Sequence, residues 1–171
     1  MAVLPVIKLG HPTLRKKAEE VQNFDRDLSL LASDLIETMQ VYSGIGLAGN
    51  QVNILKRIFV IDLSLIDENL SPKAYINPRI ISSEGSDSRE EGCLSIPDVN
   101  ADVDRASKIE VEYQTLDGKV VEDTIEDLQA RVFQHELDHL NGVLFIDRIP
   151  HLQRKLLEPQ LKKLMEANSL V

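Results

Sequence analysis

A chain of 171 residues with 43% hydrophobic side chains is long enough to bury a core and reads as a single domain over residues 1–171. Its 28 acidic against 19 basic residues leave a net charge of -9 at pH 7, which excludes a general nucleic-acid binder and disfavours adhesion to anionic membrane. One cysteine excludes an intrachain disulfide and points to a reducing, cytoplasmic compartment; no apolar run approaches membrane length, and Met1–Leu9 lacks the layout of a secretory signal.

In chain order, a short helix is predicted after Pro12, and a longer one over Asp25–Tyr42 on the spacing of Leu28, Leu31, Leu35 and Met39. The small-residue segment Gly44-Ile45-Gly46-Leu47-Ala48-Gly49-Asn50-Gln51 follows; no Lys-Ser/Thr succeeds it, so it is not a phosphate loop. Strands are predicted at Arg57–Asp62 and Ala74–Ile81, with Leu63–Pro72 and Ser82–Ser88 as exposed stretches. Three more strands fall at Ala101–Ala106, Lys108–Thr115 and Val120–Ile125, the last two joined as a hairpin by Leu116-Asp117-Gly118-Lys119. A helix from Ile125 or Glu126 carries Gln134-His135-Glu136-Leu137-Asp138-His139. From Pro150 onward an amphipathic helix is predicted on Leu152, Leu156 and Leu164, kinked or interrupted at Pro159. Strands and helices do not alternate, so the class is α+β with mainly antiparallel sheets.

The histidine pair carries the chemistry. At helical pitch His135 and His139 lie one above the other and can bind one metal ion, while Glu136 can reach a water on that metal. Leu128, Val132 and Leu140 share their face, so both imidazoles point inward, where a metal would satisfy them. Two ligands do not close a site. Phe145 stands where one peptidase class has its third histidine, and Glu158 lies in the range of another class's glutamate but in an ordinary Leu/Lys run. The upstream candidate is Cys93, in Glu90-Glu91-Gly92-Cys93-Leu94-Ser95-Ile96-Pro97. One thiolate and two neutral imidazoles leave an open coordination position, the layout of a catalytic metal.

With these three segments the chain resembles the peptide deformylases: Gly44 to Gln51, Glu91 to Ser95 and Gln134 to His139 agree in order and spacing, and the likeness runs from His11-Pro12 and Leu14-Arg15 to the final helix. Gly49 departs from the family's usual alanine and keeps the position small. Asn100 stands where many members carry an arginine, which removes the basis for a cationic contact to the distal part of a bound peptide. The resemblance implies strands packed around a central metal-bearing helix, and removal of the formyl group from N-formylmethionine on new polypeptides. It also implies Fe²⁺ as the native metal, with Zn²⁺, Ni²⁺ or Co²⁺ able to take the same ligands.

On this reading Cys93, His135 and His139 hold the metal, Glu136 moves the proton, and Gln51 and the backbone N–H of Leu94 serve the oxyanion. Ile45, Gly46 and Gly92 offer backbone to an extended peptide, while Leu128, Arg131 and Val132 wall a pocket for the methionine side chain, Arg131 by its aliphatic stem. Arg105 is expected to pair with Glu91 or Asp138 in support of the ligands. Two other classes stand beside this: a metallopeptidase using Glu158, and a metal-retaining binding protein without turnover. Neither a membrane nor a specific nucleic-acid sequence is expected as a partner. Nascent chains are, together with a transient ribosome contact through the C-terminal segment, which sets Arg154, Lys155, Lys162 and Lys163 against Glu158 and Glu166.

Overall fold

The computed structural model describes residues 2–169. After a 3-10 turn at Pro12–Arg15, helix α1 runs over Arg26–Val41. Asp25 caps it by accepting the Leu28 N–H at 3.0 Å, and its apolar spacing puts Leu28, Leu31, Leu35 and Met39 in the core. Then come β1 (Gly46–Ala48), a 3-10 turn (Gly49–Val52), β2 (Ile58–Ile61), β3 (Lys73–Glu84), β4 (Asp87–Cys93), β5 (Ile96–Arg105), β6 (Lys108–Gln114) and β7 (Val120–Glu126). Helix α2 (Asp127–Leu140), a 3-10 turn (Phe145–Asp147) and helix α3 (His151–Asn168) complete the order.

The strands form two antiparallel sheets, one ordered β1-β2-β3-β6-β7 and a separate β4-β5 pair. The expected α+β class is borne out. Period-two alternation works as the pleat requires: Ile109, Val111 and Tyr113 of β6 point inward onto α2. Phe133 of α2 meets Phe59 and Tyr75 edge-on, at ring-centroid distances of 5.0 and 5.3 Å, so the helix is locked to the larger sheet by aromatic packing. In β5 the same alternation buries Val99, Ala101, Val103 and then Arg105, driving a guanidinium into the interior.

The structure adds strand where none was predicted and corrects the C-terminal helix. Residues 82–88 are exposed for the most part, as expected, and the stretch spans the end of β3 at Glu84 and the start of β4 at Asp87. Strand β4, Asp-Ser-Arg-Glu-Glu-Gly-Cys, carries no apolar alternation to predict it; along it only Glu91 is buried. Helix α3 continues through Pro159, whose missing N–H costs a single bond on an exposed turn. Its packed stripe is Leu157, Leu161 and Leu164; Leu152 and Leu156 face solvent at 72% and 77% exposure.

Candidate active site

Helix α2 places His135 and His139 on its inner face, 9% and 1% exposed. Cys93 arrives from the other sheet, at the end of β4, where the Leu94-Ser95 turn leads into β5 with Cys93 opposite Ile96. Its Sγ stands 3.3 Å from His139 Nε2, and the ligand atoms of Cys93, His135 and His139 all lie within 4.8 Å of one another. A soft thiolate beside two imidazoles suits a borderline divalent transition metal. Glu158 is exposed on α3 and stands outside this group.

Buried charge surrounds Cys93, His135 and His139. Glu91 Oε1 lies 2.9 Å from His135 Nδ1, so that nitrogen is committed and Nε2 is left for a metal. Arg105 binds the same carboxylate through Nε and Nη2, at 2.6 and 3.0 Å, and reaches Asp138 Oδ2 at 2.9 Å; it pairs with both expected partners. Arg148 adds two bonds to Asp138, at 2.9 and 2.8 Å. Burial alone would raise the Glu91 carboxyl, but the hydrogen bonds from His135 and Arg105 and the charge of Arg105 bring it down to about 2.

Glu136 is different. Its carboxylate is buried without a pairing arginine: Oε1 has no hydrogen-bond partner among the described residues, and Oε2 lies 3.9 Å from His135 Nε2. Burial pushes its pKa up to about 7, the attraction of His135 partly offsetting this. A buried carboxyl with an unpaired oxygen beside the Cys93, His135 and His139 atoms fits a metal site that handles water.

Gln51 is 1% exposed and held at both ends of its carboxamide. Oε1 accepts the Ala48 N–H at 3.0 Å, which turns Nε2 toward Ser95 Oγ at 3.1 Å and Cys93 Sγ at 3.5 Å. Leu94 follows Cys93 directly, its carbonyl accepting Lys8 Nζ at 3.2 Å. Both Gln51 and Leu94 line a cleft of about 650 Å³ together with Cys93, His135 and Glu136. The same cleft is walled by Ile45, Gly46, Gly92, Leu128, Arg131 and Val132, so every residue assigned to substrate from sequence faces it.

The guanidinium of Arg131, however, turns away from the cleft to Glu91 Oε2, the Val103 carbonyl and the Asp87 carbonyl, at 2.6, 2.8 and 2.6 Å. Sequence reasoning missed Lys8, Tyr42 and Asp98 on the cleft wall and the buried Ser95 hydroxyl. The first three carry no local signal; Ser95 lay in a segment already singled out.

Gly46 lies tightly against Glu136 and Val132. A Cβ there would stand 2.5 Å from Glu136 Oε2 and 2.9 Å from Val132 Cγ1. The Glu136 tip can swing aside but Val132 is stiff, so Gly46→Ala should fold with some loss of stability and keep its metal. It should nevertheless lose on the order of 10²-fold in kcat, because a displacement of about 1 Å at a reacting group costs that much. Steady-state kinetics beside metal analysis checks this, and a near-normal kcat would refute the close approach.

Residues 3–155 match the family model described as polypeptide deformylase. A peptide deformylase of Acidobacterium capsulatum is 45% identical over 167 residues, covering 98% of this chain and 98% of its own length. Among solved structures, the peptide deformylase of Plasmodium falciparum superposes with a TM-score of 0.90 at 35% identity, covering 95% of this chain and 96% of that one. That of Thermus thermophilus superposes at 0.89 with 36% identity, covering 97% and 99%. Sequence and fold agree over nearly the whole length of these relatives, and the chain belongs to the polypeptide deformylase family.

Proposed function

We propose that the chain acts as one catalytic domain, a metal-dependent hydrolase of protein biosynthesis that removes the formyl group from the N-formylmethionine of newly made polypeptides. The observation that carries this reading is the Glu136 carboxylate, buried with one oxygen unpaired, beside three metal-type ligand atoms on the wall of a peptide-sized cleft. Cys93, His135 and His139 hold the ion, Fe²⁺ in the native enzyme, with Zn²⁺, Ni²⁺ or Co²⁺ able to replace it. When bound, a divalent ion supplies Lewis acidity, polarising the formyl carbonyl and drawing the pKa of a coordinated water from about 15.7 toward about 7.

The protein's own groups do the rest. Glu136 takes a proton from the attacking water and returns it to the amine nitrogen as the C–N bond breaks, leaving formate and a free α-amine. Gln51 Nε2 and the Leu94 N–H hold the negative charge that gathers on the formyl oxygen; the Ala48–Gln51 bond fixes the amide's orientation in advance, so little reorganisation is needed. Ile45, Gly46 and Gly92 pair with the extended peptide, and Leu128, Val132 and the Arg131 stem enclose the methionine side chain. Glu91, steadied by Arg105, fixes the ring of His135.

Hydrolysis of formyl-Met-Ala tests the assignment of both reaction and metal. Protein purified without oxygen should turn over the peptide and lose activity in air, while its Ni²⁺-substituted form should persist. Equal lifetimes in air would rule out iron, and no turnover by either form would rule out the reaction.

No helix among the described residues is long and apolar enough to cross a membrane. We place the enzyme in the cytoplasm, where nascent chains emerge, and assign a transient ribosome contact to α3. Lys155, Lys162 and Lys163 are exposed there, whereas Arg154 is engaged by Asp147 and the Ile146 carbonyl. Because Leu157, Leu161 and Leu164 anchor the helix, charge reversal tests the contact better than truncation. Lys155→Glu/Lys162→Glu/Lys163→Glu protein should cleave free peptide normally but cosediment less with ribosomes, with wild-type binding falling as salt rises. Salt-independent or unchanged cosedimentation would exclude it.

A further inference from the structure

The metal ligands come from two bodies that share no strand pairing: the β4-β5 hairpin carries Cys93, and α2, packed on the five-stranded sheet, carries both histidines. A three-ligand site split in this way keeps its geometry only if side chains fasten one body to the other. Arg131 is placed for that task. It lies on α2 one helical turn before His135, its side chain 6% exposed, and its guanidinium engages both strands of the hairpin. On β4 it takes the Glu91 carboxylate at 2.6 Å and the Asp87 carbonyl at 2.6 Å, and on β5 the Val103 carbonyl at 2.8 Å.

We propose that Arg131 is a positioning residue for the metal centre, a clamp that holds the cysteine-bearing hairpin against the histidine-bearing helix through Glu91, Asp87 and Val103. Its stem borders the substrate cleft, but its charge is spent on the hairpin and never meets the peptide. Glu91 is the hub of the clamp. One of its oxygens is shared by Arg131 and Arg105, and the other accepts Arg105 and faces His135 Nδ1, so a single buried carboxylate links hairpin, helix and ligand ring. The planar fork of arginine reaches three acceptors in fixed directions; a lysine at the same place has one point charge and cannot span both carbonyls and the carboxylate.

This proposal rests on Cys93, His135 and His139 being the ligands, so its test carries a separate arm for them. The Co²⁺-loaded enzyme is mixed with excess chelator, and metal release is followed together with the thiolate-to-cobalt absorption. Arg131→Met, which preserves the pocket wall, should release the ion about 10- to 100-fold faster than wild type, the usual range for loss of a group supporting a ligand. Its thiolate absorption should be altered, a change that loss of a pocket-wall contact alone would not produce. Arg131→Lys keeps a cation against Glu91, preserving the fold if the methionine variant is unstable, and should also release metal faster. Wild-type release rates and spectrum in both variants, or a KM increase with the metal unaffected, would overturn the clamp in favour of a substrate contact. Cys93→Ala is the control arm: full metal retention there would overturn the ligand assignment itself, independently of Arg131.

Discussion

Glu136→Gln protein is expected to bind its metal as wild type does and to lose about 10²- to 10⁴-fold in kcat, the range supplied by a positioned acid/base. The reasoning is local. The amide has the shape of the carboxyl but cannot carry a proton from water to the leaving nitrogen. No arginine hydrogen-bonds Glu136, and one of its buried oxygens has no partner among the described residues, so the carboxyl is free to exchange a proton with a water beside it. Replacing a buried carboxylate whose Oε1 has no such partner, and whose Oε2 only approaches His135 at 3.9 Å, should change stability little. Turnover of formyl-Met-Ala, metal content and thermal unfolding on one preparation separate these effects. Near-normal turnover would refute the assignment of proton transfer to Glu136.

Cys93→Ala should have the larger effect on the metal itself. It removes one of three ligand atoms lying within 4.8 Å of one another and leaves two imidazoles, a weak set for a divalent ion at neutral pH. Metal content after dialysis should fall well below one equivalent, with turnover falling in parallel. Cys93 packs beside the cluster of Ile96, Val99 and Leu144, so a small loss of stability is expected as well. A variant that unfolds a few degrees earlier but holds a full equivalent of metal would make Cys93 a packing residue only.

The helix-borne half of the site was legible in the sequence because it depends only on helical pitch: His135, Glu136 and His139 occupy the same relative positions on any α-helix. Cys93 needed its neighbours, since a lone cysteine identifies nothing until Glu91 through Ser95 is seen as a unit. Arg105 was expected beside Glu91 or Asp138 on the family resemblance; the structure shows why it reaches them, since β5 alternates strictly and carries it inward. Arg131 was placed on the right wall, but the three acceptors that turn its guanidinium away lie 28 to 44 residues distant in the chain, and no local pattern encodes that direction.

The other losses have the same origin. Strand β4 buries a single residue, the charged Glu91, so the periodic apolar signal that identifies a buried strand is missing. Helix α3 contains two competing leucine stripes at helical spacing. Which of them packs is decided by Leu9, Leu14 and Ile146, residues outside the helix that share its cluster.

The decisive measurement is a titration of metal into chelator-stripped protein, with formyl-Met-Ala turnover read at each addition. Turnover should be absent at the start, rise in proportion to bound Fe²⁺ or Ni²⁺, and break sharply at about one equivalent per chain, as a single Cys-His-His site requires. Turnover by the stripped protein, or one tightly bound equivalent with no turnover, would contradict a metal-dependent deformylase built on Cys93, His135 and His139.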